Sequence, residues 1–247
     1  MKNIKGKVYI TGAGPGDPGL ITVKALDLLK GCDCVIYDFL ASPELLNVVK
    51  GSCEKICAGK TDGLHILEQD KINELIYKKA KEGKVVVRLK GGDPFVFSRG
   101  IEEALYLKRR GIDFEIVPGI TSAFAAPQSF GIPLTRKGIY SSVAVLTGRK
   151  SSGEGMDAPG CDTLIYLMAV NNIGNVVKAI LKSGRDKKTP CALIERGTTE
   201  GERIVTGNLA NIAERARKHL VRSPAVFIVG KIVDYGRRIY GHKFKAR

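Results

Sequence analysis

The chain has no tryptophan, and only 6% of its 247 residues are aromatic. RNA-binding modules generally expose aromatic side chains on which bases stack, so this composition argues against a nucleic-acid partner. No uncharged apolar run reaches the length of about 18 residues that a membrane-spanning helix needs. The first residues lead into a short predicted strand and not into a signal-peptide core. We therefore expect a cytoplasmic protein with no membrane partner.

Acidic residues are the minority charge, with 25 Asp and Glu against 40 Lys and Arg, a formal net charge of +15. Such a surplus indicates an anionic partner, and both RNA and a polycarboxylate or phosphate substrate would satisfy it. Residues 231–247 carry six basic residues, one acidic residue and three interleaved aromatic residues. We interpret this segment as a solvated or dimer-facing tail in preference to a nucleic-acid contact.

Cysteine is scarce and its spacing is not that of a zinc site. The pairs C-x-C and C-x3-C differ from the usual C-x2-C ligand pattern, and both lie at the edges of predicted strands, where cysteine packs as a small apolar side chain. We expect reduced thiols and no metal. The six cysteines are Cys32, Cys34, Cys53, Cys57, Cys161 and Cys191.

The most informative stretch follows a β-branched run at residues 84–89, which predicts a buried strand. Gly91 and Gly92 come next and remove the Cβ atoms that would keep the backbone away from a ligand. Ser98 is placed to cap a helix over residues 99–110. This pattern is typical of a ligand platform at the carboxyl end of a strand, and an ordinary tight turn is the alternative interpretation.

The first turn of that helix carries Arg99, Glu102 and Glu103, which are predicted to face whatever the glycine loop faces. Arg99 and Glu102 stand at the i, i+3 spacing of a helical ion pair. They either pair with each other or bind a substrate, and the sequence leaves both readings open.

The first strand and its glycine-rich loop imitate a dinucleotide-binding unit. A strand at residues 7–11 runs into GAGPGDPG, and a second strand at residues 34–37 ends at an acidic residue. The imitation fails in detail, because Asp17 stands where a third glycine is needed, and Pro15 and Pro18 remove backbone donors. A nicotinamide cofactor is therefore not expected.

The order of elements predicts an α/β protein of two domains. Strands alternate with helices through residues 1–133, which implies a mainly parallel sheet covered by helices. The basic turn near residue 136 begins a second domain at 134–247, in which more strands are joined by direct turns, as in a mixed sheet.

Laid end to end, these motifs closely resemble the tetrapyrrole methylase family over nearly the whole chain. RLKGGDPFVF followed by RG-x-EE is highly specific, whereas GPGDP marks the family more broadly. The matching stretches are VYITGAGPGDPGLITVKAL (8–26), VIYDFLASPELL (35–46), AGK (58–60), VVRLKGGDPFVFSRGIEEA (86–104), VPGITSAFAAPQSFGIPLT (117–135) and ERGTTEGERIVTGNL (195–209).

The resemblance implies two α/β domains with the active site in the cleft between them, in a homodimer. It also implies a reaction: two methyl transfers from S-adenosylmethionine to C2 and C7 of uroporphyrinogen III, giving precorrin-2 and S-adenosylhomocysteine without a metal. A sibling enzyme acting on a later corrin precursor is one alternative. An RNA- or protein-modifying methylase of the same superfamily, or a basic RNA-binding module, is another.

Residue by residue, the resemblance assigns Asp38 as proton acceptor and Lys60 as proton donor, with Arg99 also in the catalytic set. Substrate contacts fall on Arg99, Glu102, Lys137 and Met168. Cofactor contacts fall on Pro15, Gly91, Gly92, Asp93, Val96, Thr121, Ser122, Met168, Gly197 and Ala225.

Elementary chemistry agrees with these roles. Carbon methylation leaves a positive charge on the pyrrole ring until a proton departs, and a carboxylate at a strand end can accept that proton. The many carboxylates of uroporphyrinogen would be held by charge-assisted contacts with Lys60, Arg99, Arg136 and Lys137. Three positions depart from the common family pattern and bear on substrate geometry: Phe39, Arg149 and Ala169.

Overall fold

The computed structural model describes residues 6–59, 68–149 and 156–244. The chain divides into two units, Met1–Thr121 and Ser122–Arg247. The first unit contains a five-stranded sheet of order β3-β2-β4-β1-β5, in which every pairing is parallel. Its elements are β1 (Lys7–Gly12), α1 (Val23–Gly31), β2 (Cys34–Tyr37), β3 (Glu54–Cys57), α2 (Gln69–Lys81), β4 (Val86–Lys90), α3 (Gly100–Arg109) and β5 (Asp113–Val117).

The central strand β4 is buried along its whole length, and successive side chains point to opposite faces of the sheet. Val87 and Leu89 pack in the core on one face, with Leu29 of α1. Val86 belongs to the core on the other face, which α2 and α3 cover. Arg88 and Lys90 share that second face with Val86, so the alternation of the strand directs two cations into the protein interior.

The second unit contains a mixed five-stranded sheet of order β6-β7-β10-β8-β9. Strands β6 and β7 are parallel, and the remaining pairs are antiparallel. Its elements are α4 (Ser122–Ser129), β6 (Val143–Thr147), β7 (Thr163–Leu167), α5 (Ile173–Lys182), β8 (Pro190–Glu195), β9 (Arg203–Asn208), α6 (Ile212–Lys218), β10 (Ala225–Val229) and α7 (Asp234–Tyr240). The parallel and mixed sheets predicted from the sequence are confirmed.

The units meet in sequence between residues 121 and 122, earlier than the division expected between 133 and 134. The reason is the packing of α4. Ala123 and Ala126 of this helix, and Phe130 and Ile132 after it, belong to one core cluster with Ile228 of β10. Burial against the second sheet therefore assigns residues 122–133 to the second unit, whereas the sequence showed only a change of pattern further on.

The basic C-terminal segment is folded as far as residue 244 and is not a loose tail, but its described basic residues are exposed, as expected of a solvated surface. Its contact with a second subunit stays a prediction. Ile232 and Val233 are buried in the core of the second unit, and α7 follows them. The ring of Phe244 packs edge to face on Phe130, with 6.2 Å between their centroids.

Within the described parts of the chain, no helix is long and apolar enough to cross a membrane.

Candidate active site

All five strands of the first sheet are parallel, so the loops that follow them emerge at one edge, where ligands of open α/β sheets bind. The structure therefore brings many of the predicted site residues of this unit to a common edge. Asp38 follows β2, Pro15 follows β1, Gly91–Asp93 follow β4, and Thr121 follows β5. Lys60, the predicted proton donor, lies outside the described residues.

The loops after β1 and β4 are joined by backbone hydrogen bonds. Gly92 N donates to Gly14 O at 2.7 Å, and Gly14 N donates to Gly92 O at 3.2 Å. Gly92 has a φ of +70°, a left-handed conformation that glycine adopts at little cost. A methyl group on Gly12 would lie 2.5 Å from both Gly119 Cα and Gly92 O. The three loops after β1, β4 and β5 therefore contact one another through bare backbone.

Asp93 holds this arrangement together. Its Oδ1 accepts a hydrogen bond from Phe95 N at 2.8 Å, and its Oδ2 accepts one from Gly119 N at 3.1 Å. Val96 N in turn donates to Asp93 O at 3.4 Å. The carboxylate therefore connects the loop after β4 to the loop after β5, so the platform predicted at residues 91–93 is a braced structure.

The buried cations of β4 contact the Asp38 carboxylate on the side that faces the protein interior. Arg88 Nη2 donates to Asp38 Oδ1, and Lys90 Nζ lies 3.8 Å from Asp38 Oδ2. The Asp38 side chain is 30% exposed, whereas those of Arg88 and Lys90 are 2% exposed. One side of the carboxylate is thus held by the protein and the other reaches solvent, as a group that exchanges protons with a substrate requires.

Glu103 completes this cluster, which was not predicted. Its Oε1 accepts hydrogen bonds from Arg88 Nε at 3.0 Å, Lys90 Nζ at 2.9 Å and Gln69 Nε2 at 3.3 Å. Glu103 is fully buried, so the prediction that it faces the glycine loop is wrong. The sequence signal was present in the R-x-K spacing of β4, because residues two apart in a strand share a face.

The charges of the cluster perturb its cations in opposite directions. Burial disfavours the Arg88 guanidinium, but Glu103 and Asp38 outweigh it and raise the pKa of Arg88. Burial and the neighbouring Arg88 charge lower the pKa of Lys90 below its ordinary value, although Glu103 and Asp38 oppose that shift. Lys90 is therefore the cation of the cluster that loses its proton more readily.

Arg99 and Glu102 pair with each other on the surface. Their Nε and Oε1 atoms are 3.2 Å apart, and the side chains are 60% and 44% exposed. Arg99 has a φ of +63° and precedes α3 as its N-cap. Ser98 does not fill the predicted capping role, because its hydroxyl donates to Pro94 O. Both ends of the exposed pair are accessible to a ligand, and their contact with substrate stays a prediction.

In the second unit, strand register places three predicted cofactor residues at one edge. Leu167 of β7 and Glu195 of β8 pair with Val226 and Ala225 at the start of β10. Met168 and Gly197, which follow β7 and β8, therefore lie at the same edge as Ala225. Ser122 begins α4, which packs on β7 and β10.

The backbone at this edge is specialised. Met168 has a φ of +58° and a side chain that is exposed, whereas the next residue, Ala169, has an ordinary φ of −87°. Ala169, which departs from the family pattern, therefore has a backbone conformation that does not require glycine. Gly197 makes a close approach, because a methyl group added there would overlap Cβ of Ala126. The phenyl ring of Phe39, another departure, lies in the first unit and is exposed.

Lys137 and Met168, both predicted to contact substrate, are not brought to one edge. Lys137 lies in an exposed turn closed by Arg136 N to Tyr140 O at 2.8 Å, from which the chain enters β6 at its amino end. Met168 follows the carboxyl end of the neighbouring parallel strand. Arg136 is also engaged elsewhere, since its guanidinium lies 5.0 Å from the centre of the Tyr235 ring.

A buried carboxylate, Glu195, ties the end of β8 to β9 near Gly197. Arg203 donates to Glu195 Oε2 from Nε at 3.0 Å and from Nη2 at 2.7 Å, and Arg222 N donates to the same oxygen at 3.1 Å. Glu195 is 3% exposed. This set of contacts was not predicted, and it fixes the loop that carries Gly197.

Three cysteines of the first unit, Cys32, Cys34 and Cys53, are buried in its apolar core. Cys32 Sγ and Cys53 Sγ are 3.5 Å apart in the interior. Burial, together with a hydrogen bond to Cys53, raises the pKa of Cys32 to about 12, and burial raises the pKa of Cys34 to about 11. No group of three or more His, Cys, Asp or Glu side chains in the described residues is arranged to hold a metal ion.

Comparison with known proteins agrees with this architecture. The family model for tetrapyrrole (corrin/porphyrin) methylases matches residues 7–213. A uroporphyrinogen-III C-methyltransferase of Methanocaldococcus jannaschii is 47% identical over 93% of this chain and 97% of its own. An S-adenosyl-L-methionine-dependent uroporphyrinogen III methyltransferase of Methanosarcina barkeri is 45% identical over 94% of each chain.

A solved structure extends the similarity to three dimensions. The Thermus thermophilus uroporphyrin-III C-methyltransferase, crystallised with S-adenosylhomocysteine, has a TM-score of 0.77 and 39% identity, and the match covers 92% of this chain and 93% of that one. Sequence similarity and similarity of fold therefore extend over the same length of chain. This chain belongs to the tetrapyrrole methylase family.

Proposed function

We propose that this protein transfers methyl groups from S-adenosylmethionine to C2 and C7 of uroporphyrinogen III, giving precorrin-2 for the synthesis of siroheme or corrinoids. The names of the relatives support this assignment, and so does the S-adenosylhomocysteine bound to the Thermus structure. The observation that carries it is the position of Asp38, a partly exposed carboxylate at the same sheet edge as the glycine platform.

The residues at the sheet edges fit a bound S-adenosylmethionine. Gly91 packs against Leu40, where a Cβ would come within 2.8 Å of Leu40 Cβ, and Gly92 has a φ of +70°, so the loop carries no side chain at these two positions. When bound, the cofactor supplies an electrophilic methyl group. We propose as its contacts the residues that the family resemblance indicates, namely Pro15, Gly91, Gly92, Asp93, Val96, Thr121, Ser122, Met168, Gly197 and Ala225.

The protein's own residues would bind the tetrapyrrole, orient it and remove its proton. Holding the pyrrole carbon in line with the methyl group contributes most of the rate enhancement, because it converts an encounter between two molecules into a step within one complex. Asp38 would accept the proton that leaves the methylated tetrapyrrole, and Lys60 would act as the donor. Arg99, Glu102, Lys137 and Met168 would contact the substrate, with Arg99 binding carboxylate by charge-assisted hydrogen bonds.

Anaerobic incubation with uroporphyrinogen III and methyl-labelled S-adenosylmethionine tests the assignment. We expect mass analysis to find two labelled methyl groups on each tetrapyrrole. The Asp38→Asn variant, which keeps the shape of the side chain, is the matched control and should accumulate product far more slowly. Failure of the wild-type protein to label uroporphyrinogen III, or labelling at one position only, would contradict the proposal.

We propose further that the protein is a cytoplasmic homodimer. Ile101 and Leu105 lie one turn apart on α3 and are 51% and 47% exposed, and exposed apolar surface is typical of an interaction site. Light scattering coupled to gel filtration measures the mass in solution. A monomer at micromolar concentration would contradict the dimer and leave the enzymatic assignment intact.

A further inference from the structure

The cluster behind Asp38 joins four charged groups from three elements of the first unit. Arg88 connects the two carboxylates, since its Nη2 donates to Asp38 Oδ1 and its Nε donates to Glu103 Oε1. Lys90 also lies between them, with Nζ 2.9 Å from Glu103 Oε1 and 3.8 Å from Asp38 Oδ2. Two cations and two anions therefore share one buried site, of which only Asp38 reaches solvent.

The two carboxylate oxygens of Glu103 are used unequally, which an ion pair that served only stability would not require. Three donors converge on Oε1, while Oε2 is buried and has no hydrogen-bond partner among the described residues. A buried acceptor without a partner is costly, and a catalytic role is one reason why a protein keeps such a group. An aliphatic residue at this position would avoid the cost but would also remove the negative charge.

We propose that Lys90 and Glu103 are positioning residues, Glu103 through Arg88 and Lys90 from 3.8 Å away, which orient the Asp38 carboxylate and set its strength as a base. The inference rests on the proposed function, in which Asp38 accepts a proton from the methylated tetrapyrrole.

Charge balance gives the mechanism. The cluster is neutral when Asp38 is ionised and both cations carry their protons. A proton received by Asp38 leaves one buried cation without a counter-charge, which favours release of that proton to solvent and restores the base. Lys90 can relieve the same imbalance, because burial and Arg88 already lower its pKa.

The groups that face Asp38 can be named element by element. Strand β4 contributes Arg88 and Lys90, and α3 contributes Glu103 through its contact with Arg88. Helix α2 contributes the uncharged Gln69, which binds Glu103. Within the described residues, removal of Lys90 therefore leaves one cation facing two anions, whereas removal of both Lys90 and the Glu103 charge leaves one cation facing one anion.

The test measures kcat against pH for uroporphyrinogen III methylation, which reports ionisation in the bound complex. Activity should fall at low pH, and this falling part of the profile is its acid limb. Lys90→Met removes a cation 3.8 Å from the Asp38 carboxylate, so the acid limb should move to higher pH by about one unit. In the double variant Lys90→Met/Glu103→Gln, the balance is restored and the limb should return toward its wild-type position.

Two controls separate this role from a structural one. Lys84 pairs with Glu54 and Glu82 before the amino end of β4, so Lys84→Met changes the net charge equally and should leave the limb unmoved. Lys90→Gln removes the charge but keeps a donor for Glu103, and it should move the limb as Lys90→Met does. Thermal unfolding verifies that each variant is folded.

An acid limb at the wild-type pH in both Lys90 variants would overturn the inference. So would a double variant that remains as displaced as Lys90→Met, or an active wild-type enzyme with no acid limb. Failure of the proposed function has a different signature, because the wild-type protein would then transfer no methyl group to uroporphyrinogen III at any pH.

Discussion

Gly119 is a position at which a single methyl group should disrupt the site. A Cβ there would overlap Gly92 O and lie 2.7 Å from Gly12 Cα. Gly119 N also donates to Asp93 Oδ2. In Gly119→Ala the loops after β1, β4 and β5 must therefore separate, and the bond that braces Asp93 must lengthen or break.

The cost can be estimated from these contacts. Overpacking costs about 1–3 kcal/mol, and a weakened hydrogen bond to a carboxylate adds roughly 1 kcal/mol. We expect Gly119→Ala to lower the free energy of unfolding by about 2–4 kcal/mol. Because the displaced loop carries proposed cofactor contacts, S-adenosylhomocysteine should bind at least about tenfold more weakly, a change of roughly 1.4 kcal/mol.

Urea denaturation and isothermal titration calorimetry measure the two effects. Gly174→Ala is the matched control, since Gly174 lies in α5 with open space where a Cβ would lie, and alanine there should stabilise the protein by up to about 1 kcal/mol. A Gly119→Ala protein as stable as the wild type, with unchanged affinity for S-adenosylhomocysteine, would refute the argument that this close approach shapes the site.

Three further predictions concern single charged residues. Asp38→Asn should keep its affinity for S-adenosylhomocysteine while turnover falls by about 10²–10⁴-fold; equal turnover would remove Asp38 from the mechanism. Arg99→Ala should weaken binding of the porphyrinogen far more than binding of S-adenosylhomocysteine, in separate titrations, and its free energy of unfolding should change by less than about 0.5 kcal/mol because the pair with Glu102 is exposed; equal losses for both ligands would argue against a substrate contact. Glu195→Ala should lower the free energy of unfolding in urea by about 2 kcal/mol, since three donors lose a buried acceptor, whereas the exposed Glu200→Ala should change it by less than about 0.5 kcal/mol; equal values for the two variants would contradict that role.

The strand and helix pattern could be predicted from sequence because β-branched runs and glycine-rich turns alternate regularly. Strand β2 begins and ends at the predicted residues, and β1 begins at the predicted residue and ends one residue later. The edge that gathers Asp38 and Gly92 also follows from sequence, since parallel strands must end together. These features depend on local composition and on the handedness of βαβ connections, both of which are visible in a single chain.

The charged cluster could not be predicted in the same way. Arg99, Glu102 and Glu103 were treated as one helical turn, but Arg99 adopts a left-handed conformation and α3 starts after it. Glu103 then falls on the inner face of α3 with Ala104 and Leu107. Periodicity assigns charged residues to the outside, and only the buried cations of the facing strand reverse that rule here.

The folded C-terminal segment was misread for a related reason. Its basic residues indicated a solvent-facing tail, but the apolar residues between them anchor the segment, since Ile232 and Val233 are buried. Lys243 stays at the surface, with its ammonium 2.8 Å from Glu202 Oε1 and 5.4 Å from the centre of the Phe130 ring. Net charge predicts a partner, but it does not predict whether a segment folds.

The packing of the thiols has a consequence for an enzyme that handles a methylating agent. Cysteine is alkylated as the thiolate, and a pKa of about 12 for Cys32 and about 11 for Cys34 leaves almost none of either in that form at neutral pH. Burial raises the pKa of Cys191 as well. These three buried thiols are therefore poor competitors of the tetrapyrrole for the sulfonium methyl group.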